Sequence, residues 1–195
     1  MTDISRDPII NVVHRGVKQD IRTLLESGGL RGALLLTLSG IDTMAFLVMD
    51  DAKADVTRSD FIQWADRYIR FPCAEQVSGL ELYAARCAAL HAYGTESRLS
   101  REGYCRQIGW MSEARPEVVY APQKHPDTVM VSIPALVRAF FAGIDAFLVD
   151  TFADPVKAAH AKKRFKKVMH VLPGPAWTGD SLTSPPSAIT QELRP

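Results

Sequence analysis

Residues 30–49 read LRGALLLTLSGIDTMAFLVM, the longest apolar stretch of the 195-residue chain. Apolar side chains fall on nearly every side of a helix of this sequence, which is typical of a helix surrounded by others. The stretch approaches membrane-spanning length, but Asp42 at a bilayer centre would cost roughly 2.5 to 3.5 kcal/mol on insertion scales. We therefore predict a helix buried in the protein core and no membrane association.

Further helical patterns flank this stretch. Apolar residues three and four positions apart predict an amphipathic helix within residues 10–27. Thr57 and Ser78 each begin a Ser/Thr-x-x-Asp/Glu capping box, a pattern typical of the start of a helix. Pro72 ends the first of these two helices, and Gly94 is a suitable C-terminal cap for the second.

Residues 95–131 differ in character, since Gly, Pro and charged residues separate three short extended segments. These candidate strands are residues 104–111, 118–120 and 128–131. They predict a small β-hairpin inserted in a helical protein.

Two more helices follow the insertion, beginning at Ser132 and at Asp154, with Pro in the first turn of each. The predicted fold is mainly α, a bundle of about six helices with the hairpin insertion. We assign residues 1–171 to a single domain. Residues 172–195, rich in Pro, Gly and Ser, are predicted to be a flexible tail.

Composition excludes several classes of protein. With 47% hydrophobic and 23% charged residues, the chain can form a packed core. Its three widely spaced cysteines argue against a disulfide scaffold and a zinc site, and predict a reduced, cytoplasmic setting. The chain has no Walker-type phosphate loop and no Gly-x-Ser-x-Gly turn. No cofactor or metal is predicted.

The formal net charge of +1 conceals one basic segment, residues 157–170, which contains no acid. A basic helix can follow a nucleic-acid backbone by releasing counterions. A solvated helix face is the alternative interpretation. The candidate RNA contacts in this segment are Lys157, Lys162, Lys163, Arg164, Lys166 and Lys167, and the polar loop after residue 94 adds Arg98, Arg101 and Arg106.

Arg86 lies in the otherwise apolar helix that Ser78 begins, and no acid on that helix is three or four positions away. Asp42 and Asp145 likewise lack a base on their own helices, and each ends a Gly-Ile-Asp segment whose glycine suggests close helix packing. An unpaired buried charge is expensive, so we expect Arg86 to meet Asp42, Asp145 or both.

The end of this helix, Arg86-Cys87-Ala88-Ala89-Leu90-His91-Ala92-Tyr93, has the form Arg-x4-His-x-Tyr. A shuffled sequence of this composition would give roughly 0.01 such matches. Here the chain resembles the HEPN superfamily of helical domains, whose HepT-like toxins carry this spacing. The resemblance implies that Arg86 steadies a phosphate, that His91 is an acid or base, and that Tyr93 is an accessory or modifiable residue.

The residue types suit RNA cleavage without a metal. Imidazole titrates near neutral pH and can move the required protons, and a guanidinium can hold a phosphate through two parallel hydrogen bonds. On an ideal helix Arg86 and His91 are separated by about 140°. One copy therefore carries an incomplete site, and the resemblance implies a homodimer that completes it.

We predict a metal-independent endoribonuclease, with a toxin or phage-defence role and an antitoxin or regulatory partner implied by the resemblance. Two alternatives stand beside it. Arg86 and His91 could be a structural ion pair and a satisfied histidine, or the chain could be a non-catalytic helical module that binds a protein partner or a nucleotide.

Overall fold

A computed structural model of the chain describes residues 11–168, which are mainly helical. A π-helical segment, Asn11–Val17, leads into the first α-helix. The α-helices are α1 (Lys18–Glu26), α2 (Leu30–Val48), α3 (Arg58–Tyr68), α4 (Gly79–Ala92), α5 (Arg98–Arg101), α6 (Ile133–Phe152) and α7 (Pro155–Phe165). The strands are β1 (Gln107–Met111), β2 (Val118–Tyr120) and β3 (Thr128–Ser132). The predicted tail, residues 172–195, lies outside the described residues.

The apolar stretch forms α2, which packs against α1, α3, α4, α6 and α7. Leu38, Ile41 and Met44 are fully buried along it. By length and composition alone α2 could also cross a membrane. Its contacts with five other helices explain why so many of its side chains are apolar.

Two glycines allow the helices around α2 to approach closely. A Cβ atom on Gly40 would lie 2.6 Å from Cζ of Phe140 in α6, and one on Gly143 would lie 2.6 Å from the backbone oxygen of Tyr68 in α3. Both Gly-Ile-Asp segments therefore begin at a close helix contact, as their sequence suggests.

The predicted helix starts are confirmed. Thr57 and Ser78 form complete capping boxes with Asp60 and Glu81, three residues further on. Ser132 accepts a hydrogen bond from the amide of Ala135 at the start of α6, and Asp154 caps α7. These local bonds satisfy amide groups that the helix itself leaves without partners.

The sheet differs from the predicted hairpin. β3 lies in the middle, parallel to β1 and antiparallel to β2, so consecutive strands β1 and β2 do not pair with each other. β3 holds this position because Val129 and Val131 are fully buried in the hydrophobic core, which also includes Ile108 of β1. The sheet is therefore part of the core.

We predict that Gly40→Ala destabilises the fold, because Phe140 is fully buried against Trp64 and cannot yield to the new methyl group. Overpacking of this kind lowers the free energy of unfolding by about 1–3 kcal/mol. Chemical denaturation of the purified protein measures it.

Gly16→Ala is the matched control, since no atom lies within 4 Å of a Cβ atom built there. It should leave the free energy of unfolding unchanged or raise it by up to about 1 kcal/mol, because alanine favours a helix over glycine. Equal effects of the two substitutions would contradict the proposed clash.

Candidate functional site

The helix that carries the motif, α4, is held closely against α3. The Gly79 amide donates a hydrogen bond to Oδ1 of Asp66, and a Cβ atom on Gly79 would lie 2.5 Å from the carbonyl oxygen of Ile62. One turn further along α4, Tyr83 packs against Phe61. The residue further along α4 contacts a residue earlier in α3, so the two helices run antiparallel.

Arg86 forms the expected ion pair across the bundle. Its Nε donates a hydrogen bond of 2.8 Å to Oδ2 of Asp42 on α2. The two side chains are 26% and 22% exposed, so the pair lies at the edge of the core rather than inside it. This bond uses one of the five N–H groups of the guanidinium.

The contact with Arg86 offsets only part of the electrostatic cost of burying the Asp42 carboxylate. Burial raises the pKa of the Asp42 carboxyl group above its usual 3.8, and the hydrogen bond and charge of Arg86 offset only part of this effect. A charge on Asp42 therefore opposes folding slightly while it orients Arg86.

Asp145 does not reach Arg86, which corrects the second pairing that the sequence allowed. It accepts a 2.6 Å hydrogen bond from Nζ of Lys18, a residue 5% exposed on α1. Since Asp145 is bonded to Lys18, it does not orient Arg86. Both Gly-Ile-Asp segments nevertheless place their carboxylate against a base from another helix.

His91 and Tyr93 lie at the solvent-exposed end of α4. His91 is in the last turn and is exposed, and Tyr93 is 66% exposed. Tyr93, rather than Gly94, takes the left-handed conformation that ends the helix, with φ of 51°. The amides of Tyr93 and Gly94 bond to the carbonyl groups of Ala89 and Ala88.

Tyr83 lies near both Arg86 and Arg58, and sequence reasoning missed Tyr83 and Arg58. The Arg58 guanidinium carbon lies 5.9 Å from the centre of the Tyr83 ring. Tyr83 precedes Arg86 by three residues, which places both on one side of α4. That spacing was visible in the sequence, but the approach of Arg58 depends on how α3 packs.

Of the loop arginines, Arg106 has a structural role. It donates to Glu81 and Glu75 at 2.5 and 2.6 Å and lies over the Tyr120 ring, so it joins the sheet to the start of α4. The expectation that it faces phosphates is wrong. The sequence offered one indication of this role, which is the presence of Glu81 on an otherwise apolar helix. Glu81 is 4% exposed, and a buried acid requires a base as its partner.

Arg98 and Arg101 lie on the surface. Arg98 is 78% exposed and lies 3.7 Å from Glu102. Arg101 is exposed and borders an open cavity of about 420 Å³. The other residues around this cavity are Ser100, Gly103, Cys105, Arg106 and Asp127.

Among the basic residues in and just after α7, one packs against the core and the others lie on the surface. Arg164 is 3% exposed, donates to the carbonyl oxygen of Asp50 and lies over the Phe46 ring, which corrects its assignment as an RNA contact. Lys163 pairs with Asp51 at 2.9 Å, and its hydrogen bond lowers the pKa of that carboxyl group. The exposed bases that complete the set are Lys157, Lys162, Lys166 and Lys167.

Within residues 11–168, no group of three or more His, Cys, Asp and Glu side chains is arranged to hold a metal ion. Comparison of the chain with protein-family models, with curated proteins and with solved structures finds no match.

We predict that the stability of wild type relative to Asp42→Asn falls as the pH rises from about 3 to about 7. The raised pKa of Asp42 means that the folded state keeps its proton above the pH where the unfolded chain releases it. The stabilisation is therefore complete below pH 3.8 and is lost as the pH passes the raised pKa. Urea denaturation of both proteins across this range measures the difference.

Asp150→Asn is the control with the opposite sign. Hydrogen bonds from Tyr68 and Arg67 lower the pKa of Asp150, so wild type should gain stability relative to this variant as the pH rises. A parallel trend for the two variants would contradict the assignment for Asp42.

Tyr93→Gly should stabilise the protein by about 0.5–1 kcal/mol, because glycine adopts the left-handed conformation without the strain of a side chain. Tyr93→Ala removes the same ring but keeps the strain, so it should show no such gain. Thermal and chemical unfolding compare them. A gain in Tyr93→Ala equal to that in Tyr93→Gly would show that the ring itself is destabilising.

Proposed function

We propose that this protein is a HEPN-like, metal-independent endoribonuclease that acts as a homodimer in the cytoplasm. The observation that supports it best is the contrast between Arg86 and His91. Arg86 is oriented through its Nε by Asp42 at the edge of the core, while His91 is exposed at the end of the same helix.

The chemistry requires two proton transfers and one stabilised charge. His91 takes the proton of a ribose 2′-hydroxyl, and the 2′-oxygen attacks the adjacent phosphorus. The P–O5′ bond breaks and the protonated His91 gives its proton to the leaving 5′-oxygen, which yields a 2′,3′-cyclic phosphate, a 5′-hydroxyl and a neutral imidazole. Arg86 stabilises the negative charge on the phosphorane.

A homodimer would bring together an Arg86 and a His91 from different copies. Arg86 and His91 point about 140° apart around α4, so the two groups of one copy face different directions. In the proposed dimer, Arg86 of one copy meets His91 of the other. Tyr93, next to His91, has an accessory or modifiable role, and Asp42 supports Arg86.

Surface cations extend the proposed site toward the RNA backbone. Arg98 and Arg101 follow α4, and exposed lysines of α7 add positive charge. Such contacts position a nucleic acid without reading its sequence. A toxin or phage-defence role, with an antitoxin or other regulatory partner, completes the proposal by analogy with the family.

We predict that Arg86→Ala and His91→Ala each lower RNA cleavage by about 10²-fold or more with chelator present, since each removes a group used in the transition state. Gel analysis of a labelled RNA measures the rate. His125→Ala is the control, because His125 is an exposed histidine in the loop before β3 and should leave the rate unchanged.

Mixing the two inactive variants tests the shared site. If one site uses Arg86 of one subunit and His91 of the other, then a mixed dimer contains one intact site, and mixing restores part of the activity. No recovery in a verified mixed dimer would contradict the shared site.

If wild type, Arg86→Ala and His91→Ala leave RNA equally intact, the enzyme proposal is rejected. A non-catalytic module that binds a protein or nucleotide is then the better interpretation, and the Arg86–Asp42 pair would orient α4 against α2 without any ligand.

A further inference from the structure

Arg58 is an exposed cation in the first turn of α3. Its guanidinium lies over the ring of Tyr83, at 5.9 Å from the ring centre. Among residues 11–168, no carboxylate lies close enough to form an ion pair with it. The Thr57–Asp60 capping box already occupies the start of α3, so Asp60 is directed to the backbone and to Lys53 rather than to Arg58.

Helix packing sets the position of Arg58 relative to Arg86. Because α3 and α4 run antiparallel, the start of α3 lies beside the turn of α4 that contains Tyr83. Arg58 contacts Tyr83, and Arg86 follows Tyr83 by three residues, or ~4.5 Å of helix rise. Tyr83 therefore lies close to two guanidinium groups.

The surroundings of Tyr83 agree with this placement. The pKa of its hydroxyl is raised by burial first and by Cys87 second, and the charges of both Arg86 and Arg58 act in the opposite direction. Both guanidinium groups thus lie close enough to Tyr83 to act on it. Phe61 packs edge-on against the ring, with centres 5.5 Å apart, and limits its movement.

The two arginines differ in charge balance. Asp42 compensates Arg86, whereas the charge of Arg58 is balanced by no acid within ion-pairing distance in the part of the chain that the structure describes. A guanidinium that no nearby acid balances can bind a second phosphate next to the one at Arg86. The ring of Tyr83 holds Arg58 in place by a cation–π contact, which reduces the entropy lost when a phosphate binds.

We propose that Arg58, held on Tyr83, binds the phosphate adjacent to the one that Arg86 holds in a single-stranded RNA. This subsite rests on the proposed nuclease function and deepens it. Arg58 is a substrate-binding residue, and Tyr83 is a positioning residue that acts through it.

The test pairs a change in the protein with a change in the substrate. The probe is a 2′-O-methyl RNA oligonucleotide with one unmodified ribonucleotide, so that cleavage has one position. In a second set, a neutral methylphosphonate replaces one neighbouring phosphate, on the 5′ or the 3′ side. The measurement is kcat/KM for wild type and for Arg58→Gln.

For wild type, the methylphosphonate on one side should lower kcat/KM by about tenfold, as expected for the loss of a charged hydrogen bond. Arg58→Gln should lower kcat/KM on the all-phosphate substrate by a similar factor. The methylphosphonate should then have no further effect in that variant, because the contact has already been lost. Tyr83→Leu should behave in the same way, whereas Tyr83→Phe, which keeps the ring, should behave as wild type.

Arg31→Gln is the matched control, since Arg31 is an exposed arginine in the first turn of α2 and the charge change is identical. It should retain the full methylphosphonate effect. If Arg58→Gln also retains that effect, the subsite is rejected while the nuclease stands. If wild type cleaves the all-phosphate probe no faster than His91→Ala, both proposals are rejected.

Discussion

The ion pair between Arg86 and Asp42 joins the most enclosed helix of the protein to the helix that carries the candidate site. Asp42 is the one acid of α2, and Arg86 has no acid within reach on α4. Each charge would be half-buried and unpaired without the other, so their contact restricts the rotation of α4 about its axis. Once Arg86 faces α2, Tyr83 is directed to α3, and His91 is left at the exposed end of the helix.

The candidate site is built on packed helices rather than on loops. The capping box at Ser78 and the close contact of Gly79 with Ile62 locate the start of α4, and Arg106 ties that end to the sheet through Glu81. Arg86 is therefore held in place by its packed helix, whereas His91 lies at the solvent-exposed end of that helix. A side chain that must stabilise a developing charge gains from such support, whereas one that moves protons needs access to the substrate.

Some basic side chains of this protein are buried and paired, and others are exposed on the surface. In α7, Arg164 is buried by its contacts with the end of α2, while Lys157, Lys162 and Lys163 stay on the surface. Around α4, Asp42 compensates Arg86, and Arg58 has no acid within ion-pairing distance among residues 11–168. A net charge of +1 therefore describes the surface poorly. The positive potential that a phosphate backbone would meet depends on which bases the fold has already paired.

The mainly helical fold, the starts of four helices and the need of Arg86 for an acid were all predictable from the sequence. These features depend on hydrophobic periodicity, on capping bonds spanning three residues and on the high energy of an unpaired buried charge, which are local or pairwise properties. Tertiary structure alone decided that Asp42 and not Asp145 meets Arg86, that β3 is the central strand, that Arg164 is buried and that Arg58 lies over Tyr83. Each of these depends on which faces of distant segments pack together, and the free energies of the alternatives differ only through contacts that form after the helices have assembled.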